Sequence, residues 1–237
     1  IIATHAVLSE KFKFNDLGLM VIDEEQHFGV KQKEKLKNIK KNVHVLTLSA
    51  TPIPRTLQLS LTGVRSLSLI TTPPIDRLSI KTFVMNFDPV VIKEALNREY
   101  NRGGQSFFVT PKISDLESLK SVLKEIVPNF KIAVAHGQLS PQEIEDVISD
   151  VCDRKYDILL ATNIIESEID MPWVNTIIIN RSDLFGLAQL YQLRGRVGRT
   201  KVQSYAYLTI PNDQIISEKA QKRLEVMQKL DHLGAGF

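Results

Sequence analysis

The stretch Leu19-Met20-Val21-Ile22-Asp23-Glu24-Glu25-Gln26 sets four apolar side chains directly against three carboxylates. A short apolar run of this kind predicts a strand. Three adjacent carboxylates at its end repel one another, so the site asks for a cation or a basic neighbour. In nucleotide hydrolases the first acid after such a strand holds Mg²⁺ through water, and the next positions the attacking water. Read alone, the same acids also fit a solvated turn.

Outward from this run, short β-rich segments alternate with segments of helical period. Strands are predicted at 43–48, 80–85, 105–109, 131–135, 157–161, 176–179 and 205–208, with amphipathic stretches at 30–41, 89–101, 114–127 and 140–151 between them. Such alternation predicts an α/β fold, a parallel sheet with helices on both faces. In these sheets ligands bind beyond the carboxyl ends of the strands. The adjacent prolines of Thr71-Thr72-Pro73-Pro74 read as a stiff connector and place a boundary near residue 75. The part before it has too few strands for a complete lobe, whereas the part after it has enough.

Composition narrows the class. At 237 residues, with 43% apolar and 24% charged residues, the chain is ordinary for a globular protein. No apolar run reaches the roughly 20 residues needed to span a bilayer, so no membrane partner is expected. The single cysteine, Cys152, rules out an intrachain disulfide and suits a reducing cytoplasm; it reads as a small buried residue on a helix. A net charge of +3 says little about a polyanionic partner. The abrupt start at Ile1 and the end at Phe237 read as those of a fragment.

Three further segments follow predicted strands. Leu48-Ser49-Ala50-Thr51-Pro52-Ile53-Pro54-Arg55-Thr56 places small hydroxyls at a strand end, where they can exchange hydrogen-bond partners cheaply or cap a helix with proline in its first turn. Ala161-Thr162-Asn163-Ile164-Ile165-Glu166-Ser167-Glu168-Ile169-Asp170 is the second. The third, Gln189-Leu190-Tyr191-Gln192-Leu193-Arg194-Gly195-Arg196-Val197-Gly198-Arg199, packs three arginines into six residues with two glycines among them. Their mutual repulsion needs an anion to offset it, and guanidinium groups bind phosphate oxygens bidentately.

Taken in order and spacing, Asp23-Glu24-Glu25-Gln26, the Ser49–Thr56 block, the Thr162–Asp170 block and Gln192-Leu193-Arg194-Gly195-Arg196-Val197-Gly198-Arg199 resemble the motifs of the superfamily-two helicases. The resemblance extends over essentially the whole chain. Residues 23–37, Phe185-Gly186-Leu187-Ala188-Gln189-Leu190 and the terminal Leu233-Gly234-Ala235-Gly236-Phe237 look like the bacterial transcription-repair coupling factors within that superfamily.

The resemblance implies two RecA-like lobes of the P-loop NTPase fold, the first incomplete at its N-terminus. Residues 1–75 would be the latter part of the ATP-binding lobe. Residues 76–237 would be the C-terminal lobe, with the start of a translocation hairpin near 215–237. It implies ATP and Mg²⁺ as cofactors and double-stranded DNA as the track. RNA polymerase and an excision-repair damage-recognition protein would be partners through regions outside this chain. Asp23 would hold Mg²⁺ through water and Glu24 would activate the attacking water, with Gln26 nearby as a nucleotide-sensing group. Ser49 and Thr51 would couple hydrolysis to DNA movement. Thr4 and His5 would contact the strand from the first lobe, and His136 and Thr162 from the second. Asp170 would touch the ribose and Gln192 the nucleotide, while Arg196 and Arg199 would act as arginine fingers.

Two departures from the family pattern stand out. Glu168 occupies a position where the family has glycine, which adds bulk and negative charge near the expected phosphates. The phosphate-binding Gly-Lys-Thr loop, which would supply backbone N–H donors and a lysine, is expected upstream of Ile1. Without it the fragment is expected to bind ATP poorly and hydrolyse it negligibly. The competing readings are a RecG-like fork-reversing helicase, and a catalytically inactive module that serves as a DNA or protein platform.

Overall fold

The computed structural model describes residues 1–9, 12–24, 28–39, 43–49, 68, 70, 78–166 and 171–229. The chain divides into two compact units, Ile1–Pro54 and Arg55–Phe237. The boundary expected near residue 75 lies outside the described residues.

In the first unit a short 3₁₀ turn, His5–Leu8, precedes β1 (Leu19–Asp23), α1 (Val30–Ile39) and β2 (His44–Leu48). β1 and β2 pair in parallel, with Val21 opposite Leu46 and Asp23 opposite Leu48. Parallel strands need a crossover, and α1 supplies it. Ile22 and Leu36 are buried, while Leu19, Val21, Leu46 and Leu48 lie on an exposed apolar face of the strand pair.

The second unit holds β3 (Lys81–Asn86), α2 (Pro89–Asn101), β4 (Gln105–Val109), α3 (Leu116–Ile126), β5 (Ile132–Ala135), α4 (Pro141–Cys152), β6 (Ile158–Ala161), β7 (Val174–Ile179), α5 (Leu187–Arg194), β8 (Tyr205–Ile210) and α6 (Glu218–Lys229). Its strands form one six-stranded sheet in the order β3-β8-β7-β4-β6-β5, every pair parallel. Alternation along β4 sorts the core. Phe107 and Val109 join α4, α5 and α6 on one face through Val151, Leu190, Leu193, Leu224 and Met227. Phe108 joins α2 and α3 on the other through Ile92, Leu96, Leu119 and Leu123. All five residues of β4, all four of β6 and all six of β7 are buried, as expected where helices cover both faces.

Local chemistry sets the helix starts. Asp88 caps α2 by accepting from the N–H of Val90 at 2.8 Å, with Pro89 at the first helical position. Ser140 and Glu143 form a reciprocal capping box at α4, again with proline first. The hydrogen bonds from Ser140 hold the Glu143 carboxyl below its usual pKa. α4 ends differently from the sequence expectation. Cys152 is its last residue but is exposed, because Val151 beside it takes the core position at the helix end.

A buried polar cluster closes the amino end of the sheet. Glu99 on α2 is fully buried and accepts from the Arg102 guanidinium, from the Thr176 hydroxyl at 2.5 Å and from the Asn175 amide at 3.4 Å. Gly104 is required beside it, since a Cβ there would sit 1.8 Å from Glu99 Oε1. Removing the carboxylate strands three donors. Glu99→Ala is therefore expected to destabilise the second unit by about 3 kcal/mol, read as a lower denaturant midpoint in equilibrium unfolding.

Candidate functional site

Polar side chains gather where the strands end. In the first unit Glu24 follows β1, and its N–H donates to the carbonyl of Leu48 at 3.1 Å. That bond ties the acids to the end of β2, so Asp23, Glu24 and Ser49 share one carboxyl edge. Asp23 and Ser49 are exposed and Glu24 is half-buried. Glu24 adopts φ 49°, a left-handed conformation that costs a residue with a Cβ and recurs at functional sites. The donor set suits Mg²⁺, which keeps most of its waters and takes only one or two carboxylates together with substrate phosphates. Among the described residues, no three or more His, Cys, Asp or Glu side chains are grouped so as to hold a metal ion.

Thr4 has a local task. Its hydroxyl accepts from the N–H of Ala6 at 3.4 Å and caps the 3₁₀ turn that contains His5. Gln26, Thr51, Asp170 and Glu168 lie outside the described residues, as does the side chain of His5.

In the second unit three backbone bonds line up the ends of four adjacent strands. The N–H of Thr110 donates to Ala161 at 3.0 Å, that of Thr162 to Ala135 at 3.3 Å, and that of Asn180 to Val109 at 2.7 Å. Thr162, Thr110, Asn180 and His136, which follows Ala135, thus stand side by side on the carboxyl edge. Thr162 is 3% exposed and Thr110 fully buried. The Thr110 hydroxyl and Nδ1 of His136 are buried without a hydrogen-bond partner. Two of these, Thr162 and His136, were expected from the sequence. Thr110 was not, although its place directly after the apolar run Phe107-Phe108-Val109 was a usable signal.

The arginines follow α5. Gln189 accepts from the N–H of Gly186 at 3.0 Å and so fixes the helix start. The last turn continues past Arg194, with Arg196 N–H donating to Leu193 and Val197 N–H to Arg194. Gln192 and Arg196 are therefore four residues apart on one continuing turn. The three arginines have different fates. Arg194 is 8% exposed, donates to the carbonyl of Met227 at 3.2 Å and stacks over Tyr191 with its guanidinium carbon 4.9 Å from the ring centre. Arg196 is 9% exposed, and Arg199 is exposed. Burial pushes the Tyr191 hydroxyl pKa up, with Arg194 acting in the opposite sense.

Comparison with known proteins follows the same division of the chain. Residues 1–60 match the DEAD/DEAH box helicase family and residues 89–201 match the helicase conserved C-terminal domain. The transcription-repair-coupling factor of Rickettsia prowazekii is 53% identical over 237 residues, all of this chain and 21% of the relative. That of Escherichia coli K12 is 48% identical over the same 237 residues, again 21% of the relative. The solved structure of RecG bound to a three-way DNA junction is 35% identical, with a TM-score of 0.74 over 97% of this chain and 30% of that one. Saccharomyces cerevisiae Dbp5 bound to RNA and ADP BeF3 shares the fold at 18% identity, with a TM-score of 0.68. No helix among the described residues is long and apolar enough to cross a membrane. With the two helicase domain matches in order and the whole of this chain aligned to these relatives, the chain is similar to the transcription-repair-coupling factors and spans about a fifth of the length of the relatives it matches.

Proposed function

We propose that this chain is most of the ATPase motor of a DNA translocase that moves along double-stranded DNA, displaces stalled RNA polymerase and couples transcription to excision repair. The observation that carries the reading is that the chain holds two sets of groups, one in each unit. Acids follow a parallel strand in the first unit, and an arginine-rich loop follows α5 in the second. Phosphoryl transfer needs both, since positioning and charge stabilisation supply most of its catalysis. The alignment to transcription-repair-coupling factors favours this over the RecG-like alternative, as their identity of 48–53% exceeds the 35% to RecG.

Bound ATP with Mg²⁺ supplies the transferred phosphoryl group and neutralises part of its charge. Asp23 would hold the Mg²⁺ through water. Glu24, held half-buried by its strained backbone, accepts the proton of the attacking water. Arg196 and Arg199 stabilise the charge that develops on the phosphoryl oxygens, and Gln192 faces the nucleotide. Thr162 and His136 form the track-binding edge of the second unit. Their hydrogen-bonding groups suit phosphate oxygens, which are the same at every step of the duplex. Ser49 and Thr51 link the acids to that movement, and Thr4 and His5 contribute from the first unit. The proposed division of the chain remains at residue 75, with a translocation hairpin starting near 215. Partner contacts to RNA polymerase and the damage-recognition protein fall in the rest of the polypeptide, and the protein works in the cytoplasm.

In the full-length protein, Glu24→Gln is expected to lower DNA-stimulated ATP turnover by about 10²–10⁴-fold while leaving nucleotide affinity intact. Unchanged turnover in a steady-state phosphate-release assay would remove Glu24 from its role. Arg199→Ala should slow turnover about 10²–10³-fold with little change in DNA affinity. An equal fall in both, measured by DNA titration alongside turnover, makes it a backbone contact instead. Residues 1–237 alone should show negligible DNA-stimulated hydrolysis, and a version extended upstream through the phosphate-binding loop should regain it. Equal activity in the two would contradict the need for that loop.

A further inference from the structure

The loop carrying Arg196 and Arg199 is tied at both ends to different parts of the second unit. At its start Arg194 donates to the Met227 carbonyl of α6. At its end Thr200, the residue after Arg199, donates its hydroxyl to Oδ1 of Asn175 at 3.1 Å. Between the two, Gly198 takes φ 77°, and a Cβ there would meet Ile80 Cγ1 at 2.8 Å. Only glycine turns the chain there and still lets Ile80 close against it.

Asn175 is built for the Thr200 contact. It is 5% exposed near the start of β7. Its Oδ1 also accepts from the Ser204 hydroxyl at 3.4 Å. Its Nδ2 donates to Glu99 Oε1 and to the Trp173 carbonyl, each at 3.4 Å. Both donors and both acceptor positions of the amide are thus used, which fixes its orientation. Glu99 is itself locked by Arg102 and Thr176. The anchor for Thr200 is therefore a buried network rooted in α2 and the sheet, not a surface contact. Thr200 also accepts from the N–H of Val202 at 3.3 Å, which holds the hydroxyl in place.

We propose that Asn175 and Thr200 are positioning residues for Arg199, setting where its backbone stands so that the guanidinium meets the transferred phosphoryl group. The inference rests on the phosphoryl role given above to Arg199. Arg199 is exposed and its side chain is long, so a fixed backbone limits the positions its charge can take. Charge stabilisation of a transition state depends steeply on such placement, and an error of about 1 Å can cost as much as 10²-fold. Neither Asn175 nor Thr200 is expected to touch the nucleotide.

The test uses DNA-stimulated ATP hydrolysis by the full-length protein carrying Thr200→Val, Thr200→Ser, Arg199→Ala and the Thr200→Val/Arg199→Ala pair. Thr200→Val should lower kcat about 10-fold, with KM for ATP and affinity for duplex DNA held within about two-fold. Thr200→Ser keeps the hydroxyl and should restore the rate. The double variant should be no slower than Arg199→Ala, because Thr200 acts through that arginine. Thr200→Ala removes the same hydroxyl from a smaller side chain, and keeps the test decisive should valine disturb folding. A wild-type kcat in both Thr200→Val and Thr200→Ala, with Arg199→Ala slow, overturns the inference alone. So do losses that multiply in the double variant. An unchanged kcat in Arg199→Ala overturns the phosphoryl reading and this inference with it.

Discussion

A parallel strand covered by helices on both faces has no room for polar side chains along its middle. β4, β6 and β7 are buried along their whole length, and an uncompensated hydroxyl or amide there would cost the desolvation of that group. Polar chemistry is pushed to the two ends of the sheet. The carboxyl end carries Thr110, Thr162, Asn180 and His136, in line because the ladder puts neighbouring strand ends level. The amino end carries Glu99, Asn175, Thr176 and Ser204, which satisfy one another. Among the described residues, the Thr110 hydroxyl and His136 Nδ1 at the carboxyl end lack a hydrogen-bond partner. On the proposed reading, that difference separates scaffold from binding surface.

The arginine loop spans this polarity. α5 begins after the carboxyl end of β7, and the loop returns to the amino end where β8 starts. Three nearby guanidinium groups repel, so their burial needs specific partners. Arg194 spends its charge inside the unit, on the Met227 carbonyl and the Tyr191 ring. Arg199 stays exposed while its neighbour Thr200 is tethered. A motif that reads as three equivalent charges thus separates into one structural arginine and a pair with the chemistry proposed above.

Much of the fold was legible because parallel-sheet strands are short, apolar and punctuated by turns. Gln105–Val109 and Pro89–Asn101 match their expected ranges, the second because Asp88 and Pro89 mark its start. Asp23, Glu24, Ser49, Thr162 and His136 were legible as site candidates because each follows an apolar run. Other features depend on residues distant in sequence. Asn175 meets Thr200 across 25 positions and Glu99 across 76, and no local pattern encodes either. Glu99 sits on a helix whose one other acid, Glu94, is exposed, so its burial is a tertiary fact. Cys152 shows the opposite error, a small residue at a helix end whose exposure was decided by its neighbour Val151.

On the proposed reading, the two kinds of phosphate contact differ in the way a motor requires. The second unit, on that reading, meets the track with the hydroxyl of Thr162 and the side chain of His136. A neutral hydrogen bond exchanged for water is worth about 1 kcal/mol, so such contacts can be broken and remade at each step. Charged contacts would bind more tightly through counterion release and would raise the barrier to stepping. At the nucleotide the demand is reversed, because the charge that develops on the phosphoryl group must be met by full positive charges held in advance. On the proposed reading, the unit spends its arginines where charge changes during the reaction and its hydroxyl where the ligand must move.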